Sequence, residues 1–392
     1  MNQKKLNSFD AAIIKDVNEK LVLKLIREHV KISSSELVRI TGMRPSTIFN
    51  ITKKLLSQNL IVFLGKGGST QKGGKKPYVW SVNKDAAFSI GVNIKVNEMT
   101  IVLLNLAGEY VAKKIIPVDI AKTLDEVFSN IVNAVEDVIA LSGVDRTKIL
   151  GLGIGFAGIV DNVKGIVIMS GVFPEMNFHL TEKLKDHFDF PIEIENDANA
   201  VAVGSKWMVK VRGKKDYMTA LIEMDRAVAG FGIGIVINGE LYHGASFCSG
   251  ELYPHIPQVR EILAGMRIRL SEGKVLRDFV EMIDNLNINF LIEAAKQGDE
   301  IALLFFSKLG NSIGQIIAPA VALLNPETLV ICGNMTELDE ILIEPIRSAI
   351  EMHVLSIANK ALTITATEHG HYAVAMGAAS IVLEEYFRVP SI

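Results

Sequence analysis

Apolar positions near the start of the chain recur at helical spacing. Ile14, Val17, Leu21, Leu25 and Ile26 stand mostly three or four apart, which predicts an amphipathic helix from Ile14 to Val30 with its charged residues mostly on the other face. Ser33 and Glu36 have the spacing of a capping box, so a second helix starts near Ser34. It is expected to end within two turns, at Gly42, a residue that adopts positive φ without strain. Pro45 suits the first turn of a third helix, whose apolar stripe is Ile48, Ile51, Leu55 and Leu56. Two apolar runs, Leu60 to Leu64 and Tyr78 to Val82, then flank the Gly- and Lys-rich stretch from Gly65 to Pro77 and are expected to be strands. Helix, short helix, glycine turn, third helix and a basic loop between strands is the order of a winged helix-turn-helix.

Beyond Asp85 the pattern becomes apolar strands alternating with amphipathic helices, which predicts an α/β body. Strands are expected over Phe88 to Ile94, Met99 to Leu104, Ile149 to Phe156, Ile192 to Glu195, Met218 to Ile222, Gly232 to Ile237 and Leu329 to Cys332. Helices are expected over Leu124 to Ser142, Leu180 to Phe188, Ala198 to Met208 and Ala302 to Leu324. Glycine turns are expected at strand ends, from Gly155 to Gly158 and from Gly230 to Gly234.

Charge sharpens this division. The net charge of the 392 residues is −3, but residues 1–84 hold 16 Lys and Arg against 5 Asp and Glu, a net of +11 that leaves the remainder at −14. A small basic module on a large acidic body fits a nucleic-acid contact surface joined to a part that phosphate repels. The alternative for such a module is dimerisation or protein docking. If it binds DNA, Arg44 and Asn50 suit base edges, while Ser46, Thr47, Lys53 and Lys54 on the third helix and Lys66, Lys72, Lys75 and Lys76 in the loop suit phosphates.

Composition excludes some classes. An apolar fraction of 49% argues against disorder, and there is no uninterrupted apolar run of spanning length and no signal-peptide pattern, so a soluble, cytoplasmic protein is expected. The two cysteines, Cys248 and Cys332, cannot form a disulfide framework and lack metal-ligand spacing; both are expected to be ordinary buried thiols.

Several stretches together resemble the ROK family of sugar kinases and their repressor relatives. They are Gly151 to Gly158, Ile194-Glu-Asn-Asp-Ala-Asn-Ala200, Gly232 to Gly239, Leu324 to Glu327 before Leu329 to Gly333, and Met376 to Ala379. Gly73-Gly-Lys-Lys-Pro77 resembles the wing-to-body junction of the family's repressors. The resemblance implies residues 1–84 as a winged helix-turn-helix and 85–392 as a two-lobed actin-like (ribonuclease H-like) sugar-kinase fold. Lobe one would span about 85–204 plus the C-terminal helix near 372–392, and lobe two about 205–371. It also implies a sugar site between the lobes, with Asp197 beside Asn196 in the place of the kinases' general base. In a protein that only binds, an ionised Asp197 can accept two hydroxyl hydrogen bonds from a polyol; alternatively it merely caps the helix starting at Ala198. Glu251 and His255 are further candidates for the sugar side, His255 lying one position later than the family's histidine.

The family's nucleotide-binding turns are altered. The acid and glycine pair that open the kinases correspond to Asn93 and Lys95-Val96, and the second phosphate turn reads Val228-Ala229-Gly230. Side chains there block backbone approach to phosphate, so phosphoryl transfer is not expected. The stretch from Ile256 to Val275 has no cysteine, so no metal site is expected, and no cofactor. Gly171 to Pro174 is more apolar than the family's sugar loop. These readings point to a carbohydrate-responsive repressor acting as a homo-oligomer on an operator. A kinase with a DNA-binding module and a ligand-independent regulator with a vestigial cleft are the alternatives.

Overall fold

A computed structural model describes residues 3–67, 76–95, 98–118, 124–170, 176–208, 210–225, 228–252, 261–262, 273, 275 and 288–390. The chain opens with α1 (Gln3–Glu28), the short strand β1 (Ile32–Ser33), α2 (Ser34–Thr41) and α3 (Pro45–Ser57). Strands β2 (Ile61–Lys66) and β3 (Tyr78–Val82) follow, and β3 lies between β1 and β2 in an antiparallel sheet. Local chemistry sets these limits. The Ser33 hydroxyl accepts from the Glu36 amide at 3.2 Å while the Glu36 carboxylate accepts from the Ser33 amide at 2.9 Å, closing the capping box. Gly42 ends α2 at φ 69°, and Pro45 opens α3 where no intrahelical donor is needed.

The body holds two five-stranded sheets. The first contains β4 (Phe88–Ile94), β5 (Glu98–Asn105), β6 (Tyr110–Pro117), β7 (Ile149–Phe156) and, after the small β8 (Gly158–Asp161), β9 (Ile166–Ser170) and β10 (Phe178–His179), β11 (Ile192–Asn196). Helices α4 (Leu124–Ser142), α5 (Leu180–Leu184) and α6 (Asp197–Ser205) interleave. The second sheet contains β12 (Tyr217–Asp225), β13 (Val228–Ile237), β14 (Glu240–Leu241), β15 (Thr328–Cys332) and β16 (Thr363–Ala366). Its helices are α7 (Ile288–Lys296), α8 (Glu300–Leu324), α9 (Glu340–His353) and α10 (Ser356–Ala361), and α11 (Ala373–Phe387) closes the chain. The spatial orders β11-β7-β4-β5-β6 and β14-β13-β12-β15-β16 are the same arrangement repeated: an antiparallel meander of three with two further strands added in parallel beside its first.

Glycine here serves packing more than turning. A β-carbon on Gly91 or Gly153 would lie 1.9 Å from a carbonyl of α11, so α11 can rest on the first sheet only because β4 and β7 are bare at those points. The stretch from Gly230 to Gly234, expected to turn, is instead the interior of β13; a β-carbon on Gly234 would lie 2.5 Å from the Ala198 carbonyl of α6. α6 is therefore pressed between the second sheet and α11, and all its residues from Ala198 to Ser205 are buried. The helix expected over Leu180 to Phe188 ends at Leu184, and that expected over Ala198 to Met208 runs from Asp197 to Ser205. Of the two cysteines expected to be buried, Cys332 is buried in β15 but Cys248 is exposed, because it sits in the loop after β14 rather than in a strand.

The N-terminal module shares its core with the body. Val22, Ile26, Ile48 and Trp80 belong to one apolar cluster with Val102 and Leu104 of β5 and Met376 and Leu383 of α11. A motion of the first sheet or α11 therefore reaches the module through close-packed side chains rather than through a tether.

Candidate functional site

Two surfaces collect the residues that the sequence singles out. On the N-terminal module, Arg44, Ser46, Asn50 and Lys53 are exposed and Thr47 is half-buried. Ser46, Asn50 and Lys53, four and three apart, lie on one face of α3. Lys66 at the end of β2 and Lys76 before β3 are exposed; Lys72 and Lys75 lie outside the described residues. Lys54 differs from its neighbours, for its ammonium pairs with Glu19 of α1, a carboxylate that is itself 8% exposed. It ties α3 to α1 instead of standing free.

The second surface is the cleft between the two sheets. β11 delivers Asn196 and Asp197 to the start of α6. Asn196 is the N-cap: its carbonyl oxygen accepts from the Asn199 amide at 3.0 Å and its NH2 donates to the Gly158 carbonyl at 3.0 Å. Each end of that side chain makes one structural hydrogen bond, which holds Asn196 in place and leaves its second donor hydrogen and second lone pair for a ligand. Asp197, the alternative cap, is already inside the helix, its carboxylate accepting only from the adjacent Ala198 amide at 2.8 Å among the described residues. Burial raises its pKa to about 7, the Glu251 and Glu223 carboxylates push the same way, and the Ala198 amide and Lys95 oppose them. Glu251 is half-buried, and burial raises its pKa too. His255 and Gly171 to Pro174 lie outside the described residues.

Lys95, expected from the resemblance to replace a glycine of the kinases, reaches from the first sheet to the second. Its ammonium lies 2.8 Å from Glu223 of β12 and 3.4 Å from Glu98. Burial disfavours the charge, but Glu223 and Glu98 outweigh it and hold the ammonium pKa above its ordinary value. The Asn93 amide nitrogen is buried with no hydrogen-bond partner among the described residues. Val228-Ala229-Gly230, expected to be a turn, is instead the start of β13, paired with Asp225 to Glu223 of β12, while Val96 lies outside the described residues.

A second inter-lobe contact was not expected. The Glu195 carboxylate accepts from His243, in the loop after β14, at 2.8 Å and from Asn162 at 3.1 Å. Its other oxygen accepts from the Asn196 amide at 2.9 Å and Asn199 at 3.2 Å. The Glu195 hydrogen bond raises the His243 pKa, against the opposing effect of burial. The available signal was an acid at the end of an apolar strand, a place where a charge needs partners. Nothing around His243 marked it as that partner.

The ROK family model matches residues 89–385. The chain is 25% identical over 398 residues to the xylose repressor of Caldicellulosiruptor bescii, covering 96% of this chain and 98% of that protein. Among solved structures, a ROK family transcriptional regulator described as a homolog of E. coli MLC superposes with TM-score 0.74 at 20% identity, over 96% of this chain and 97% of that one. A ROK family glucokinase from Streptomyces griseus, crystallised with glucose and AMPPNP, superposes with TM-score 0.63 at 21% identity, over 75% of this chain and 99% of its own.

Proposed function

The chain thus belongs to the ROK family, and from that premise we propose that it is a cytoplasmic, sequence-specific DNA-binding repressor of carbohydrate-utilisation genes, with a sugar as effector. Residues 1–84 are the winged helix-turn-helix, α3 being the recognition helix and β2 and β3 the strands of the wing, and residues 85–392 are the kinase-like body. The observation that carries this reading is the exposed polar face of α3, with Arg44, Ser46, Asn50 and Lys53 directed outward from a module whose opposite side is packed into the body. Arg44 and Asn50 meet base edges, and Ser46, Thr47, Lys53, Lys66, Lys72, Lys75 and Lys76 meet phosphates. A dimer would set two recognition helices in successive major grooves, about 10 base pairs apart.

The sugar lies in the cleft on Asp197 and Glu251, with His255 as a further candidate. A ligand that binds one lobe arrangement better than another shifts the population of wing positions, and DNA affinity with it. A non-catalytic cleft is supported by the Lys95–Glu223 pair, which spends on protein the positive charge that phosphate would use. The test is operator binding by the full chain with and without a panel of pentoses, hexoses, amino sugars and their phosphates, beside an ADP-release assay. Sequence-preferring, salt-sensitive binding altered by one sugar is expected; sugar-dependent ADP release would overturn the non-catalytic reading, and silence across the panel would favour a ligand-independent regulator.

A further inference from the structure

Phe49 lies on the exposed side of α3, flanking Lys53 on the edge away from Asn50, and is 53% exposed. With Ser34, Pro45, Lys76, Pro77 and Tyr78 it lines a notch of about 200 Å³ where the start of α3 meets the base of the wing. An aromatic ring left half in water at the N-terminal half of this helix is unfavourable for the free protein, and the core does not use it. The surroundings indicate what covers it. Arg44, Lys53, Lys66 and Lys76 are exposed and make no ion pair among the described residues. A second copy of this face would bring like charges together, whereas a DNA backbone supplies the opposite charge on both sides of the ring.

We propose that Phe49 is a specificity-determining residue that packs against a thymine methyl in the major groove. The inference rests on the DNA-binding reading and deepens it. A hydrocarbon ring carries no donor or acceptor for the polar base edges. The one apolar feature of the major-groove floor is the C5-methyl of thymine, so a phenyl group among Ser46, Asn50 and Lys53 favours thymine over every other base at its position. Asn50, on the other side of Ser46 on the helix face, is then left to read the neighbouring pair.

The test uses the full chain and duplexes recovered by selection from a random library. Each thymine of the selected site is replaced in turn by deoxyuridine, which removes only the methyl. For the native chain, one position per half-site should lose affinity by about 5- to 10-fold, within the range of a single base contact. Phe49→Ala should lose a similar factor on unmodified DNA and be indifferent to deoxyuridine at that one position, while Phe49→Leu retains most of the preference. Equal deoxyuridine penalties for the native chain and Phe49→Ala, or unchanged affinity in Phe49→Ala, would overturn the assignment while leaving DNA binding intact. Loss of self-association in Phe49→Ala by sedimentation, with deoxyuridine penalties unchanged, would give the ring to a contact between copies instead. Recovery of no preferred duplex would defeat the DNA-binding reading itself, and this inference with it.

Discussion

The guanidinium of Arg27 in α1 lies 3.7 Å from the centre of the Trp207 ring, just beyond the C-terminal end of α6. The same guanidinium pairs with Glu384 and lies 5.3 Å from the Phe387 ring, both on α11. At its other end α6 begins with Asp197, the cleft carboxylate. One helix of nine residues, about 13 Å long and buried from Ala198 to Ser205, therefore links Asp197 to the Arg27 contact of the N-terminal module. Arg27→Ala should leave sugar and operator affinities each near their native values while the factor by which sugar changes operator affinity falls toward one. Arg27→Lys keeps the charge but not the planar stacking and should uncouple partly. Operator anisotropy with and without sugar reads this directly, and undiminished coupling in Arg27→Ala would move the route away from α6.

Asp197 links the cleft to pH. Its pKa rises from 3.8 to about 7 on folding, so between those values the native chain binds more protons than the unfolded chain, and stability declines as pH rises through that window. Asp197→Asn should remove this slope and raise stability at pH 8 by roughly 1 to 3 kcal/mol. It should also weaken the sugar response, since an amide replaces a carboxylate that, when ionised, can accept two hydroxyls. Melting curves of both proteins at pH 5 and pH 8 decide the first point; parallel shifts at the two values would refute it.

Glu195, near the end of β11 in the first sheet, bonds His243, in the loop after β14 of the second. The His243 pKa is raised above 6.5, so the extra stability of the charged pair is fully present below that value and is lost as pH rises through the raised one. His243→Ala should therefore cost about 1 to 3 kcal/mol at pH 6 and less at pH 9. An equal loss at both values would mean that packing, not charge, is what His243 supplies.

Local signals foretold local structure. The capping box at Ser33, Gly42 at φ 69° and Pro45 at the start of α3 lie where spacing put them, because each acts within one turn of its own position. The edge strand β6 was missed: Lys113 and Lys114 interrupt its apolar run, which alternates in burial only once β5 lies beside it. The glycines of β13 read as turns because a bare β-carbon position looks the same whether it frees φ or admits a helix; Ala198 opposite Gly232 decides it. Asp197 was singled out by its resemblance to a known motif, but the charged groups around it were not. Lys95 meets Glu223 across 128 residues and His243 meets Glu195 across 48, and no sequence period spans such distances.

Lys54 separates two ways in which a lysine on α3 can matter. Lys53 and Lys66 are exposed with no ion pair among the described residues; replacing either with Ala should weaken binding to specific and random duplexes alike, lowering the salt slope by about one counterion each. Asn50→Ala or Arg44→Ala should instead cost about 1 to 3 kcal/mol on the selected site alone. Lys54→Ala belongs to neither class, because it removes the partner of Glu19, which is 8% exposed. Its expected signature is a stability loss of roughly 1 to 3 kcal/mol with an unchanged salt slope. Glu19→Gln combined with Lys54→Ala should recover much of that loss, since a neutral amide at this site carries a smaller desolvation penalty than an unpaired carboxylate. Thermal melts and salt titrations of the two variants make the distinction, and a salt slope lowered by Lys54→Ala would return that residue to the phosphate-binding set.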